Sequence, residues 1–474
     1  MMSASTAPIR SADDLRGRRA VVLGLARSGV AACRFLADAG AEVTAYDRRS
    51  AGDLAAAVEE LEGRPIHLAL GVERDRARML IAGADLLLTS PSISPRFPTT
   101  DAWLRDALLE AEARGAEIVS EVGLFLRLVR ARVVGVTGTK GKTTTASLLA
   151  AMLERAGLPV ALGGNIGTPL IERSDELGEQ DRVVLELSEL QLPTIDRGVD
   201  VAVYTNIAED HLDRHGSVAA YRAVKARLAE LSVPRGRVVL NHDDPGCREL
   251  GAALPTEAVA WYGLDRGGPA TLAASVDADG WIVVAGDRVL PAADVPLPGR
   301  HMLANVVGAA LGAHLAGAAG PAIADAVRAF PGVPHRLETV AITGGVRWVN
   351  DSQATIPAAA IAALRAFDAP IVLIAGGKDK GLEYDELADV VAERARACVL
   401  IGETADRLEQ LIGARLPVRR AGTMDQAVGV AASLAEEGDV VLLAPAAASF
   451  DMFADYAARG DAFRAAVVSL GGSS

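Results

Sequence analysis

A chain of 474 residues, half of them hydrophobic, is too long for one core and predicts roughly two to four domains. Its formal net charge of −13 argues against a protein that coats nucleic acid, which needs a basic face, while leaving room for a locally basic pocket. Cys33, Cys247 and Cys398 lie far apart with no C-x-x-C spacing and read as buried free thiols in a reducing compartment. No charge-free apolar run of about 18 residues suggests a membrane span, and Met1 to Arg16 lacks the apolar centre of a signal peptide, so a cytoplasmic, soluble enzyme is expected. Scarce aromatics beside abundant Ala, Val, Leu and Gly suit packed α/β layers.

The first segment opens with Arg19 to Leu23 as a strand, a turn at Gly24-Leu25-Ala26-Arg27-Ser28-Gly29, and an Ala-rich helix to Gly40. The strand Glu42 to Asp47 follows, with its acidic residue about 20 positions past the turn. Ala26 stands where the second glycine of G-x-G-x-x-G belongs. The pattern therefore indicates a Rossmann-like domain holding a nucleotide at a helix N-terminus more than it indicates NAD. Ala84 to Pro91 is a strand running into a polar loop, the place where such sheets bind ligands. After the strand Glu117 to Val119, a boundary is expected near 120.

Next comes Val133-Val134-Gly135-Val136-Thr137-Gly138-Thr139-Lys140-Gly141-Lys142-Thr143-Thr144-Thr145: strand, phosphate loop, helix. Glycines let backbone N–H groups turn toward phosphate oxygens, and the helix N-terminus adds the positive end of its dipole. Lys142 can reach β- and γ-phosphates and the Thr143 hydroxyl can hold Mg²⁺. Val136 replaces the first glycine of G-x-x-x-x-G-K-[ST], so the loop is a shortened variant. Strands at 182–188, 200–206 and 236–241 and a helix at 304–319 continue the region, with a small β insertion expected at 255–297. Glu186 lies within an apolar run, which is costly unless it is paired or metal-bound. Residues 205–216, including Glu209, Asp210, His211, Asp213 and His215, are dense in ligand types and suggest a second Mg²⁺ site. Pattern alone reads Lys225 as a solvated helix lysine. Pro331 to Arg336 has a linker's composition. A third α/β unit then runs through strands at 346–349, 371–375, 397–401 and 439–444, with a helix at 358–367.

Read together, Gly138-Thr139-Lys140-Gly141-Lys142-Thr143, Gly164-Asn165-Ile166-Gly167, Leu185-Glu186-Leu187-Ser188, Asp210-His211-Leu212-Asp213-Arg214-His215, Pro334-His335-Arg336, Asn350-Asp351-Ser352, Gly376-Gly377-Lys378-Asp379-Lys380 and Ala447-Ala448-Ser449-Phe450-Asp451 resemble the Mur ligases over nearly the whole chain. These are ATP-dependent amide ligases of peptidoglycan precursor synthesis, and the likeness is strongest to those adding glutamate to UDP-N-acetylmuramoyl-L-alanine. The resemblance implies an α/β chain of three domains. Residues 1–119 would be a Rossmann-like domain for the UDP substrate, 120–333 a P-loop domain for ATP, and 334–474 a mobile Rossmann-like domain for the amino acid.

The resemblance also implies roles. Ser28, Asp47, Arg48, Ser90 and Asn165 would hold the UDP substrate. Gly138, Thr139, Lys140, Gly141, Lys142, Thr143, Thr144, Asn305, Arg336 and Asp351 would hold ATP. Thr143, Glu186, His211 and Lys225 would serve two Mg²⁺ sites, with Lys225 carried as a carbamate, and Lys142, Glu186, His211 and Lys225 would be catalytic. Thr355, Lys380, Ser449, Phe450 and Tyr456 would receive glutamate. Nucleic acid and membrane insertion are not expected, and a monomer is. Three residues depart from the family's pattern: Gln353 where many relatives carry Lys, Glu189 in place of a neutral residue, and Ser92 in place of Gly. Gln353 leaves the enantiomer open between D-glutamate, the expected one, and L-glutamate. A protein that merely hydrolyses ATP as a switch is the rival class, and Glu186, His211, Lys225 and the third domain argue against it.

Overall fold

The computed structural model describes residues 9–97, 99–208, 217–264 and 272–471. Its first sheet contains β1 (Arg19–Leu23), β2 (Glu42–Asp47), β3 (Ile66–Leu70), β4 (Leu86–Thr89) and β5 (Glu117–Ser120), all parallel, in the order β3-β2-β1-β4-β5. The central strands are short apolar runs because both faces are covered. Ala20 and Val22 pack with the helix Arg27–Asp38, whereas Val21 and Leu23 pack with the helices Arg74–Gly83 and Ala102–Ala113. The strand order reverses between β1 and β4, so the loops after them part and leave a crevice at their carboxyl ends.

The second sheet holds β6 (Arg132–Thr137), β7 (Val160–Gly164), β8 (Arg182–Glu186), β9 (Val201–Tyr204), β10 (Arg237–Asn241), β11 (Val259–Gly263), β12 (Ala274–Val276), β13 (Trp281–Val284) and β14 (Asp287–Pro291). Their order is β14-β13-β12-β11-β10-β9-β6-β8-β7, parallel except for the β12-β13-β14 meander at one edge. The short strands expected at 255–297 are present and extend this sheet at its edge. The third sheet comprises β15 (Glu338–Thr343), β16 (Val346–Asn350), β17 (Ile371–Gly376), β18 (Ala395–Ile401), β19 (Val418–Arg420) and β20 (Val440–Leu443), in the order β15-β16-β20-β17-β18-β19. Only the β15–β16 pair is antiparallel.

The chain divides into two compact units, Met1–Asp294 with Ala304–Arg328, and Val295–Leu303 with Ala329–Ser474. The first two sheets share the first unit. The helix Glu121–Leu128 joins them and is buried along almost its whole length. Ser120 Oγ caps it by accepting from Gly123 N at 3.1 Å. Arg127 pairs with Glu117 of β5 and with Asp196, and Arg197 Nη1 donates to the Leu126 and Arg127 carbonyls. On the other side Arg34 bridges to Glu172. Among the described residues no helix is long and apolar enough to cross a membrane. All three cysteines are buried free thiols, and burial pushes Cys33 up to about 12.

Glu121 is the buried acid at this junction. Its Oε1 accepts from Ile171 N at 3.1 Å, and burial outweighs that bond and pushes the carboxyl up to about 7. Because the folded value lies above the unfolded one, this group's contribution to stability is complete below about 4.5 and declines as pH rises through about 7. Glu121→Gln removes the titration. Urea denaturation should show the variant gaining on the parent between pH 4.5 and 8, by on the order of 2 kcal/mol. A pH-independent difference would contradict the assignment.

Candidate active site

The carboxyl ends of β6, β8 and β9 carry the phosphate turn and its supports. Val136 is a buried strand residue in register with Glu186 and Val203, so β6 runs on and the turn begins only at Gly138. That accounts for the missing consensus glycine. Asn206 braces the turn from the neighbouring strand end. Its carbonyl accepts from Thr139 N at 2.9 Å, its Oδ1 accepts from Lys140 N at 3.0 Å, and its Nδ2 donates to the Lys140 carbonyl at 2.9 Å. Gly141, at φ +84°, begins the helix Lys142–Arg155. A Cβ there would stand 2.5 Å from Asn305 Oδ1, so Asn305 lies directly against the turn. Thr143 is half-buried and Thr144 buried in the helix's first turn.

Lys142 folds back onto the turn, its Nζ donating to the carbonyls of Gly138 at 3.0 Å and Thr139 at 2.9 Å. Lys225 Nζ donates to the same Gly138 oxygen at 2.9 Å and lies 5.5 Å from the centre of the Tyr221 ring. The pattern-based reading of Lys225 as a solvated lysine is overturned, since the residue is fully buried. The helix Val218–Ser232 buries Tyr221, Lys225, Leu228, Ala229 and Ser232, one stripe at helical spacing that includes the lysine. Tyr221 in turn hydrogen-bonds Thr139 Oγ1 at 2.9 Å.

Glu186 ends β8 and is 1% exposed. Its Oε1 accepts from Asn165 Nδ2 at 2.7 Å, while its buried Oε2 has no hydrogen-bond partner. A buried carboxylate oxygen left open beside a phosphate turn suits a hard cation. His211, expected to join a second cation site, lies outside the described residues.

In the first sheet the crevice between β1 and β4 is a cavity of about 470 Å³ lined by Gly24, Asp47, Arg48, Ser90, Ser92 and Asp101, among others. Asp47 is engaged internally, accepting from Leu25 N at 2.9 Å and from the Arg49 guanidinium. Burial alone would raise its carboxyl, but the Arg49 and Leu25 hydrogen bonds outweigh it and hold the group at about 2. Arg48 pairs with Asp101, and Ser92 Oγ stands 3.4 Å from Ser90 Oγ. Ser28 is half-buried at the start of the following helix. Beside it Arg27 Nη1 reaches the Gly167 carbonyl at 3.4 Å, which brings the Asn165 loop alongside.

Arg336, Asp351 and the expected glutamate residues belong to the second compact unit, at the carboxyl ends of β16, β17 and β20. Burial pushes Asp351 up to about 6, against the opposing Leu337 N–H and Arg336 charge. Ala446 N donates to the Ala354 carbonyl, tying the Thr355 loop to the loop of the buried Ser449, and Lys378 N donates to the Ala448 carbonyl. Lys380 and Tyr456 are exposed, and Phe450 is 71% exposed. Sequence reasoning missed Arg459, which organises this cluster. Fully buried, it donates to Ser352 Oγ and to the carbonyls of Ser352, Ala447 and Ala448 at 3.0–3.1 Å, and burial lowers its pKa to about 10. The chain has five lysines, Lys140, Lys142, Lys225, Lys378 and Lys380, all of them in these two clusters.

The sequence matches the family described as Mur ligase middle domain over residues 136–313, and Mur ligase, glutamate ligase domain over residues 335–447. A UDP-N-acetylmuramoylalanine--D-glutamate ligase of Symbiobacterium thermophilum is 40% identical over 459 residues, covering 95% of this chain and 98% of that one. A ligase of the same name from Caldanaerobacter subterraneus subsp. tengcongensis is 38% identical over 465 residues, covering 96% and 99%. Among solved structures, the UDP-N-acetylmuramate-alanine ligase of Thermotoga maritima aligns with a TM-score of 0.58 at 16% identity, over 96% of this chain and 100% of that one. A pseudomurein peptide ligase type C from Methanothermus fervidus aligns with a TM-score of 0.55 at 20% identity, with the same coverage. At such identities the structural likeness concerns the fold alone.

Replacing Arg459 strips the Ser352 hydroxyl and the Ser352 and Ala447 carbonyls of their donor and leaves the Ala448 carbonyl with Lys378 N alone. Arg459→Met should destabilise the protein by about 3–5 kcal/mol, read as a lower urea midpoint. A loss under about 1 kcal/mol would show that the guanidinium does not hold the loops.

Proposed function

The chain belongs to the Mur ligase family, and from that premise we propose that it joins D-glutamate to UDP-N-acetylmuramoyl-L-alanine, using ATP and releasing ADP and phosphate. The observation that carries this reading is the convergence of two lysine amines, Lys142 and Lys225, on the Gly138 carbonyl, beside a glutamate with an open buried oxygen. A polyphosphate would draw Lys142 outward from the turn, and carbamylation would turn Lys225 into an anion able to bind Mg²⁺.

Residues 1–119 would hold the UDP moiety, 120–333 ATP and 334–474 the amino acid, in a monomeric cytoplasmic enzyme. Thr143 and Glu186 would hold one Mg²⁺, and His211 with carbamylated Lys225 a second. Bound there, Mg²⁺ supplies charge neutralisation on the phosphates. The substrate's L-alanine carboxylate attacks the γ-phosphorus and the bond to ADP breaks, leaving an acyl phosphate. The glutamate amine then attacks the acyl carbon and phosphate departs. Lys142, the turn's N–H groups and Asn305 hold the nucleotide in line for the first step. Lys380, Thr355 and Ser449 would hold the glutamate carboxylates for the second, with Phe450 and Tyr456 as apolar walls.

The test is phosphate release with UDP-N-acetylmuramoyl-L-alanine against D- and L-amino acids. D-glutamate should stimulate most, because inverting the α-carbon misplaces either the amine or a carboxylate, and about 1 Å can cost on the order of a hundredfold in rate. Gln353, lacking the charge many relatives carry there, is the feature that favours L-glutamate as the second reading. Faster release with L-glutamate would select it, and no stimulation by either would reject the ligase. Lys142→Ala should lower turnover at saturating ATP by roughly a hundredfold or more with the fold intact. Lys225→Ala should also abolish turnover, and the parent should gain mass at Lys225 under bicarbonate.

A further inference from the structure

Glu186 is gripped by one neighbour, and the grip is asymmetric. β7 and β8 run parallel with Gly164 opposite Glu186. At φ +92° Gly164 turns the chain over that glutamate, and a Cβ there would stand 2.3 Å from its main-chain oxygen, so only glycine fits. Asn165 then bonds Glu186 twice. Its main-chain N donates to the Glu186 main-chain oxygen at 2.8 Å, and its Nδ2 donates to Oε1 at 2.7 Å. The amide must present its nitrogen here, because an ionised carboxylate only accepts. Oε1 is thereby occupied from the protein side, and Oε2 is left without a partner.

We infer that Asn165 is a positioning residue that confines Glu186 to one-oxygen coordination and so biases the phosphate site toward Mg²⁺ over Ca²⁺. The inference rests on the nucleotide-and-metal reading proposed above. Mg²⁺ demands a near-octahedral shell at about 2.0–2.1 Å and keeps several waters, a shell served by single carboxylate oxygens. Ca²⁺ takes six to eight oxygens at about 2.3–2.6 Å and accepts both oxygens of one carboxylate. A carboxylate pinned through Oε1 meets the first demand and resists the second. Asn165 is otherwise exposed, so its Oδ1 and second N–H remain available to the muramoyl substrate. One amide can thus touch the substrate on one side and set the metal ligand on the other.

The experiment measures ADP binding to the full-length protein by calorimetry, without metal and with graded MgCl₂ or CaCl₂, and the occupancy of Mn²⁺ by electron paramagnetic resonance. Asn165→Ala should weaken the apparent Mg²⁺ and Mn²⁺ affinities by about 10- to 100-fold. Ca²⁺ should lose much less, so that the Mg²⁺:Ca²⁺ preference falls at least about tenfold. Metal-free ADP binding should stay unchanged, which reports an intact turn. Asn165→Asp, whose carboxylate cannot donate, should lose the preference as well, and it carries the comparison if the alanine variant fails to fold. An unchanged Mg²⁺:Ca²⁺ ratio overturns the inference, whatever happens to turnover. If the parent protein shows no metal-dependent ADP binding, the nucleotide reading itself fails instead.

Discussion

Parallel register sets the height at which every functional group of the central sheet emerges. Val136 stands opposite both Glu186 and Val203, and Gly164 stands opposite Glu186. Because parallel strands end on one edge, the turn at Gly138, the amide of Asn165, the carboxylate of Glu186 and the brace at Asn206 all leave the sheet at one level. The register is fixed by burial on both faces: slipping one strand by a residue would exchange its two packed faces and displace every one of these groups. The turn chemistry can be sparse because the strands beneath it are over-determined.

The same rigidity extends to the first sheet. Helix Glu121–Leu128 is buried against both sheets, and Arg127 and Arg34 reach across with ion pairs to Asp196 and Glu172. Such pairs add little when exposed. Here their value is geometric, since they accompany a continuous apolar core shared by the two sheets. The crevice at β1 and β4 and the turn after β6 are therefore held in one frame, as a substrate spanning both would require.

Much of this was legible in the sequence, for identifiable reasons. The central strands of all three sheets are short apolar runs with turn residues between them, and the phosphate turn announces itself by glycine and lysine spacing. Lys225 was misread from pattern because its neighbours Arg222 and Arg227 make the helix look solvated. The stripe Tyr221, Lys225, Leu228, Ser232 was nevertheless there at helical spacing, and a face-by-face reading would have found a lysine on the buried side. The strands after Val259 were legible as short strands, but sequence does not reveal that β11 pairs in parallel with β10. Arg459 had no signal at all, since its partners are mostly main-chain carbonyls, which carry no letter in a sequence. Asp47 has the expected place beside the crevice, yet its charge is spent on Leu25 N and Arg49, contacts set by a tight turn.

The scarcity of lysine has a practical side. Arginine supplies the cations of nearly every surface ion pair described here, and the five ε-amines sit only at the phosphate turn, on the helix behind it and in the loop after β17. Under the carbamylation proposed above, arginine could not stand in at Lys225, because a guanidinium stays protonated and offers no nucleophilic amine to carbon dioxide. Reductive ¹³C-methylation would therefore yield a spectrum of at most six amine signals, counting the chain's α-amine, five of them from these two clusters. A crowded spectroscopic problem becomes a short one, in which nucleotide, metal and carbon dioxide can each be followed through probes that the protein's own composition has placed there.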